Sequence, residues 1–155
     1  MARIPITRNG YNNLAKEFEN LKKVVRPQVI KAIEEARAHG DISENAEFVA
    51  VKERQSFVET KIREIEQKLA NSEIIDNINL PNGKVGFGSV VTLENLGNGG
   101  KVTYQIVGPD ESDISSSKIS IASPLGKALI GKEVDDEVKV QTPGGAKNYT
   151  ILKIA

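Results

Sequence analysis

The chain contains no cysteine, which excludes disulfide bonds, thiolate metal sites and cysteine nucleophiles. It also lacks any stretch near the roughly 20 apolar residues that a membrane-crossing helix needs. The first ten residues, MARIPITRNG, have no apolar core of signal-peptide length. We therefore expect a cytoplasmic protein with no membrane partner.

An excess of charge is missing as well, because the formal net charge is zero and acids balance bases in both halves of the chain. Phosphate-backbone binding usually needs a basic excess, so an independent DNA- or RNA-binding protein is not expected, although a local basic patch stays possible. With 155 residues, 39% of them hydrophobic and 27% charged, the chain fits one ordinary globular domain or two small ones.

What the first half does contain is helical periodicity. Between residues 9 and 72 the apolar residues recur at helical spacing, which is typical of two amphipathic helices. The pattern assigns to the inner faces Leu14, Phe18, Leu21, Val25, Val29 and Ile33, and then Ala46, Val49, Phe57, Ile62, Ile65 and Leu69.

This periodicity breaks at His39-Gly40. Glycine suits the left-handed residue that closes a helix, and a histidine in the last turn suits the negative end of the helix dipole. The first half is therefore predicted to be a helical hairpin with arms of roughly 28 residues, or about 40 Å. Pro27 lies inside the first arm and is expected to kink it near Lys23 to Arg26.

The second half, after Asp76, changes to strands and turns. Turn signals in LPNGKVGFG, LGNGGK and TPGGAK separate the strand-like runs SVVTLENL, KVTYQIVG, KISIAS, EVKVQT and NYTILKIA. In SPLGKALIGK we expect a short helix with Ser123 as its cap, Pro124 first and Gly131 at its end. The predicted fold class is α+β, a long antiparallel coiled-coil hairpin (1–76) followed by a small antiparallel β domain with a short helix (77–155).

The segment RAHGDISENAEF joins the two predicted arms and carries three acids, Asp41, Glu44 and Glu47. One interpretation is a capping box, in which Asp41 caps the second helix and Glu44 reaches back to its amide. The other is metal binding, since two carboxylates one turn apart can share a hard cation such as Mg²⁺. Two carboxylates do not complete a six-ligand magnesium site, so this second interpretation requires a partner that supplies the rest.

Several motifs resemble one family along the whole chain, the bacterial Gre transcript-cleavage factors, and within it most closely the A type. They are IPIT, RP at Arg26-Pro27, EARAHGDISENAEF, KERQ, EIID, IVGPDE, SPLGKALIGK and TPGG. By this resemblance the protein is an accessory factor and not itself an enzyme. It is expected to be a monomer that inserts its hairpin into the secondary channel of RNA polymerase and stimulates cleavage of the 3′ end of backtracked RNA.

The resemblance also implies roles for residues of the hairpin end. Asp41 and Glu44 would hold a Mg²⁺ shared with the polymerase active site and orient the attacking water, while Ser43 would position a water or phosphate, or compete for the cap. Arg37 and Lys52 match a small basic patch that contacts the extruded RNA. Phe48 stands where the family usually has tyrosine, so any hydrogen bond from that hydroxyl is missing.

Two neighbours of the acids are given structural roles. His39 is expected to be a helix-end residue rather than a metal ligand, and Glu47 a first-turn partner of the helix dipole rather than a contributor to the metal site.

The second half resembles the FK506-binding-protein fold, as the C-terminal domain of Gre factors does. This implies a docking domain in which Ser123 and Pro124 face a coiled coil of the polymerase β′ subunit. Two alternatives stay open: a channel-binding regulator that inhibits without cleavage, and a prolyl isomerase or chaperone. Isomerases line their pocket with several aromatics, whereas this half offers only Phe87, Tyr104 and Tyr149.

Overall fold

The computed structural model of this protein describes residues 3–39, 46–76 and 83–155. They form two compact units, Tyr11–Asn71 on the one hand and Met1–Gly10 with Ser72–Ala155 on the other. Long helices make up the first unit, and a sheet with one short helix makes up most of the second, so the predicted α+β class is confirmed. The predicted domain boundary after residue 76 adjoins residues 77–82, which lie outside the described ranges, and it stays a prediction.

The first arm of the hairpin is helical throughout but changes its hydrogen bonding once. It consists of α1 (Arg8–Asn20), a π-helical turn (Leu21–Val25) and α2 (Arg26–Ala38). The N–H of Arg26 donates to the carbonyl of Leu21, five residues back, and Pro27 follows at once in the first turn of α2. Because proline has no N–H to continue the α-helical ladder, a wider turn just before it is the local adjustment that keeps the arm helical.

The second arm is a single helix, α3 (Ala46–Asn71), whose 26 residues extend about 39 Å. The arms run antiparallel: Arg26 of α2 pairs with Glu59 in the middle of α3, whereas Arg37, near the end of α2, stacks on Phe48, near the start of α3. The predicted helical hairpin is therefore confirmed. Within the described ranges no helix, α3 included, is both long and apolar enough to cross a membrane.

Three inner-face expectations for α3 are wrong, those for Ala46, Val49 and Phe57, all of which are exposed. Phe57 is 70% exposed and Val49 50% exposed, while Val58 and Ile62 are buried and Val51 packs beside them. Successive residues of a helix are roughly 100° apart, so Val58 lies about 40° from Ile62 around the axis and Phe57 about 140°. The buried core between the arms consists of Val29, Ile33, Val58 and Ile62, with Phe18, Leu21, Val25, Phe48 and Val51 packed against it.

The second unit contains a five-stranded sheet in the order β5-β4-β3-β7-β6. Its strands are β3 (Val90–Asn95), β4 (Lys101–Val107), β5 (Lys118–Ser120), β6 (Glu137–Thr142) and β7 (Gly145–Ile154). Four of them lie in the runs that the sequence predicted, whereas β7 begins at Gly145, inside TPGGAK, which was predicted as a turn. The sheet is mixed rather than wholly antiparallel, because β5 pairs parallel to β4 after two 3₁₀ turns return the chain.

A short helix, α4 (Pro124–Leu129), covers one face of this sheet. Leu129 is fully buried with Val138 of β6 and Ile151 of β7, and burying each such side chain stabilises the fold by roughly 1.5–3 kcal/mol. The cap at Ser123, the proline at the first helical position and the left-handed Gly131 (φ 82°) just beyond the helix agree with prediction. This helix places Ser123 and Pro124 on a rigid support.

Two further strands were not predicted, β1 (Ile4–Ile6) and β2 (Ser72–Ile74). They pair in parallel, and the N–H of Ile75 donates to the carbonyl of Ile6 at 2.9 Å. With three residues each, the two strands are too short to show an alternating pattern. Their pairing places the first residues of the chain in the same unit as the sheet.

Candidate functional site

The predicted metal ligands lie in the segment that joins the arms. Asp41, Ser43 and Glu44 belong to residues 40–45, which lie outside the described ranges, as does the predicted capping box. The structure describes the residues on either side, up to the end of α2 at Ala38 with His39 behind it, and from Ala46 at the start of α3. These flanking residues are the part of the candidate site that the structure describes.

Arg37, one of the two predicted RNA contacts, meets the opposite arm. Its guanidinium lies 5.9 Å from the centre of the Phe48 ring, within the range of a cation–π contact. Phe48 is only partly exposed and also packs against the core between the arms. The ring therefore gives the Arg37 side chain a firm platform, and this packing role does not need the hydroxyl of a tyrosine.

Lys52, the other predicted RNA contact, is exposed on α3. Its ammonium group donates to the side-chain carbonyl of Gln55 at 2.9 Å, one turn further along the helix. Arg37 and Lys52 thus stand on different arms with different partners. Both keep donors available, since a guanidinium has five N–H groups and an ammonium three.

His39 and Glu47 also meet across the arms. His39 closes α2, its N–H donating to the carbonyl of Ala36 at 3.2 Å, so its predicted place at the helix end is confirmed. Its Nδ1 lies 3.2 Å from Oε2 of Glu47, the second residue of α3. Glu47 stands in the first turn of α3 as expected, but its contact with His39 was not predicted. No local sequence signal relates these two residues, which are eight positions apart and belong to different helices.

The second predicted site surrounds Ser123 in the sheet unit. Its Oγ accepts from the N–H of Gly126 at 3.0 Å and donates to the carbonyl of Ser120 at 2.6 Å. Gly126 lies so close to that carbonyl that a Cβ at this position would overlap the oxygen. The conformation of the loop before α4 is therefore fixed by side-chain, backbone and steric constraints together.

Ser123 also lines a surface cavity of about 240 Å³ whose walls include Ser112, Ile114, Lys118 and Ser120. Ile114 is 68% exposed, as single apolar side chains on protein surfaces often are. No aromatic side chain lines this cavity. The sequence analysis missed it, because ESDISSSK contains only a polar loop pattern with one isolated isoleucine.

A carboxylate on the wall of this cavity has an altered acidity. Hydrogen bonds from the Ser115 and Ser116 hydroxyls hold the pKa of Asp113 below its ordinary value, because they favour the charged form. Asp113 also accepts from the backbone N–H of Ser115 at 3.1 Å. Its carboxylate thus organises the 3₁₀ turn that carries Ile114.

The described residues contain no group of three or more histidine, aspartate or glutamate side chains that could hold a metal ion. The donors nominated from the sequence remain Asp41 and Glu44, whose carboxylate oxygens are of the kind that Mg²⁺ prefers. Two such groups occupy only part of a six-ligand shell. Their chemistry fits a shared ion rather than a site complete in itself.

Comparison with known proteins gives matches over both halves of the chain. Residues 4–74 match the family model described as "Transcription elongation factor, N-terminal", and residues 80–155 match "Transcription elongation factor, GreA/GreB, C-term". The chain is 53% identical over 154 residues to transcription elongation factor GreA of Syntrophus aciditrophicus, covering 99% of this chain and 96% of that protein. It is 51% identical over 155 residues to the GreA of Methylococcus capsulatus, with 99% and 98% covered.

Among solved structures, Gfh1 of Thermus aquaticus is 30% identical and covers 99% of each chain, with a TM-score of 0.45. The two family models together span nearly the whole sequence, and the full-length relatives share about half of its residues. This chain therefore belongs to the GreA/GreB family of transcription elongation factors and is of the GreA type.

Proposed function

We propose that this elongation factor binds RNA polymerase, inserts its helical hairpin through the secondary channel and stimulates cleavage of the 3′ end of backtracked RNA. In this proposal Asp41 and Glu44 complete the coordination of a Mg²⁺ in the polymerase active site. The factor contributes ligands and position, and the polymerase contributes the catalytic centre.

The observation that carries the proposal is the construction of the hairpin. Its arms are packed along a continuous apolar core, and contacts between them extend to their last residues, Arg37 with Phe48 and His39 with Glu47. The segment bearing both acids joins the arms at this end. A stiff antiparallel hairpin of about 39 Å is long for a structural element whose own core needs only a few turns.

The acids have a definite chemical task. The oxygens of an ionised carboxylate accept hydrogen bonds from a water molecule and can serve as metal ligands. When bound, Mg²⁺ would supply Lewis acidity at the attacking and leaving oxygens. Asp41 and Glu44 would orient that water and balance the charge, which explains why the chain needs only a few acids here.

The basic residues Arg37 and Lys52 fit the RNA. Contacts to phosphate oxygens position a nucleic acid without reading its sequence, as a factor acting on any backtracked transcript requires. Arg37 is supported by the Phe48 ring, so its guanidinium loses little conformational freedom when it binds. Because only two such cations flank the acids, salt should weaken the RNA contact modestly.

The sheet unit is proposed to dock on a coiled coil of the polymerase β′ subunit through Ser123 and Pro124. The rigid loop before α4 supports this role, since Ser123 is held by hydrogen bonds to Ser120 and Gly126. An isomerase function is disfavoured, because Phe87 is buried and the two tyrosines of this unit, Tyr104 and Tyr149, pack against its core.

The proposal is tested with stalled polymerase complexes carrying backtracked, labelled RNA. The variant Asp41→Asn with Glu44→Gln should bind polymerase as the wild type does but lose stimulation of RNA cleavage in Mg²⁺. A matched control is Glu34→Gln with Glu53→Gln, which removes two exposed acids from the described parts of the two arms. It should leave cleavage unchanged.

Two results would contradict the proposal. Full stimulation by the Asp41/Glu44 variant would remove the acids from the mechanism. A wild-type protein that slows elongation and never shortens backtracked RNA would instead be an inhibitor of the channel. Binding is measured separately by competition with labelled wild-type factor, so that failure to bind is not mistaken for failure to stimulate.

A further inference from the structure

The contact between His39 and Glu47 is the last described contact between the arms before the acidic segment. The Nδ1···Oε2 distance is 3.2 Å, and the side chains are 62% and 55% exposed. His39 is anchored through its backbone N–H to Ala36, and Glu47 through the first turn of α3. The two side chains therefore join two helix ends and not two loops.

The hydrogen in this contact belongs to His39. An ionised carboxylate only accepts hydrogen bonds, so the hydrogen must be on Nδ1 of His39. Both the neutral ring with its hydrogen on Nδ1 and the charged ring satisfy that condition. The contact thus persists whether or not the ring is protonated.

Stability does not explain the position of this pair. Exposed ion pairs contribute little to the free energy of unfolding, and the hairpin already has a buried core of four aliphatic side chains. Phe48, the residue after Glu47 in α3, makes the cation–π contact with Arg37, so the two cross-arm contacts are adjacent. Together they set the spacing of the arms at the point where residues 40–45 leave one helix and enter the other.

We propose that His39 and Glu47 are positioning residues, a brace that holds the ends of the two arms at a fixed spacing, on either side of the segment that carries Asp41 and Glu44. This inference rests on the proposed function. Ligands and catalytic groups must be held within about 0.5 Å of their working geometry, which a six-residue connection between unbraced helix ends does not ensure. The brace acts through the backbone ends of α2 and α3 and touches neither the metal nor the RNA.

The main rival is that Glu47 is itself a metal ligand, and a double-mutant cycle separates the two. If the pair is a brace, His39→Ala and Glu47→Ala each lower the maximal cleavage rate at saturating factor by roughly 3- to 10-fold, since small misplacements cost large factors in rate. The double variant loses no more than either single variant. The factor concentration giving half-maximal stimulation stays unchanged, because docking lies elsewhere.

The ligand alternative predicts a different pattern. Glu47→Ala would then cost far more than His39→Ala, and only Glu47→Ala would raise the Mg²⁺ concentration needed for cleavage. His39→Arg, which keeps an N–H donor facing Glu47, should recover most of the rate under the brace. Glu53→Ala, an exposed acid two turns further along α3, is the matched control and should behave as wild type.

A second readout is independent of polymerase. Because the chain has no cysteine, Glu35→Cys and Ala50→Cys, on exposed positions of opposite arms, can carry spin labels without further changes. Pulsed EPR should give a narrow distance distribution that broadens with either His39→Ala or Glu47→Ala and narrows again with His39→Arg. An unbroadened distribution with full cleavage by both single variants would overturn the brace, whereas a wild type that stimulates no cleavage would overturn only the proposed function.

Discussion

Glu111, in a 3₁₀ turn of the sheet unit, accepts two hydrogen bonds from Thr7, the residue just before the first helix. Its Oε2 accepts from the Thr7 N–H at 2.6 Å and from the Gly108 N–H at 3.1 Å, while Oε1 accepts from the Thr7 hydroxyl. The Thr7 oxygen in turn accepts from the N–H of Gly10. One carboxylate thus satisfies two backbone donors and orders the cap of α1.

Removing this carboxylate should therefore destabilise the sheet unit. Glu111→Ala leaves the Thr7 and Gly108 donors without their acceptor, and we expect a loss of about 1–3 kcal/mol in the free energy of unfolding. Urea denaturation followed by circular dichroism measures it. Glu137→Ala, an exposed acid on β6, is the control and should change stability by less than about 0.5 kcal/mol.

Phe57 and Ile62 are apolar residues of α3 that differ in burial, so we expect their substitution to affect stability differently. Phe57→Ala should change the free energy of unfolding by less than about 0.5 kcal/mol, because the ring is 70% exposed. Ile62→Ala should cost about 2–5 kcal/mol, since it opens a cavity between the arms. Equal losses in the two variants would show that the ring of Phe57 is buried in solution.

The pair formed by Arg8 and Asp76 predicts a dependence on pH. The Arg8 side chain donates from Nε at 2.8 Å and from Nη2 at 3.1 Å to the two carboxylate oxygens, and this hydrogen bonding holds the pKa of Asp76 below its ordinary value. Because the pKa of Asp76 is lower in the folded state, the ion pair stabilises the fold at pH values above the ordinary carboxyl pKa of about 3.9. That contribution is lost as the pH falls through the lowered value.

Arg8→Gln should return the pKa of Asp76 towards its ordinary value, as measured by NMR titration of the carboxyl carbon. Both side chains are more than half exposed, so the effect on unfolding is small and the titration is the sharper measurement. Arg63→Gln, an exposed change on α3, should leave the curve of Asp76 where it is. An Asp76 that titrates identically with and without Arg8 would mean that the ion pair does not form in solution.

Phe48 is predicted to support the Arg37 side chain, a role that needs the aromatic ring but no hydroxyl group. Phe48→Tyr should retain cleavage stimulation, whereas Phe48→Leu keeps an apolar side chain against the core but removes the ring beneath Arg37. An exposed cation–π contact is worth about 0.5–1 kcal/mol, so the maximal cleavage rate should fall by roughly two- to fivefold. Phe57→Leu, the same change at an exposed ring of α3, provides the control.

Much of this architecture follows from local patterns. The strand runs of the five-stranded sheet, apart from the first residues of β7, and the capped helix at Ser123 were predicted, because each depends on residues adjacent in sequence. Periodicity also predicted the hairpin, yet it placed Phe57 rather than Val58 on the inner face. These residues lie five and four positions before Ile62, and the packing of the opposite arm selects between them.

Contacts between residues that are far apart in the sequence could not be predicted from local patterns. Thr7 and Glu111 are 104 positions apart, and no sequence pattern near either residue predicts their contact. The contact of His39 with Glu47 joins two different helices, and the exposed Ile114 stands alone in a polar run. Such features depend on how elements meet in space, whereas turn and helix signals act within a few residues.

The parallel pairing of β1 with β2 has a consequence for synthesis of the protein. Residues Ile4–Ile6 leave the ribosome before the hairpin, but their partners Ser72–Ile74 follow only after the entire hairpin has been made, and Glu111 follows later still. The hairpin consists of contacts nearer in sequence and can form while translation continues. Strand β1 must wait for β2, so residues made before the hairpin reach their native place after it.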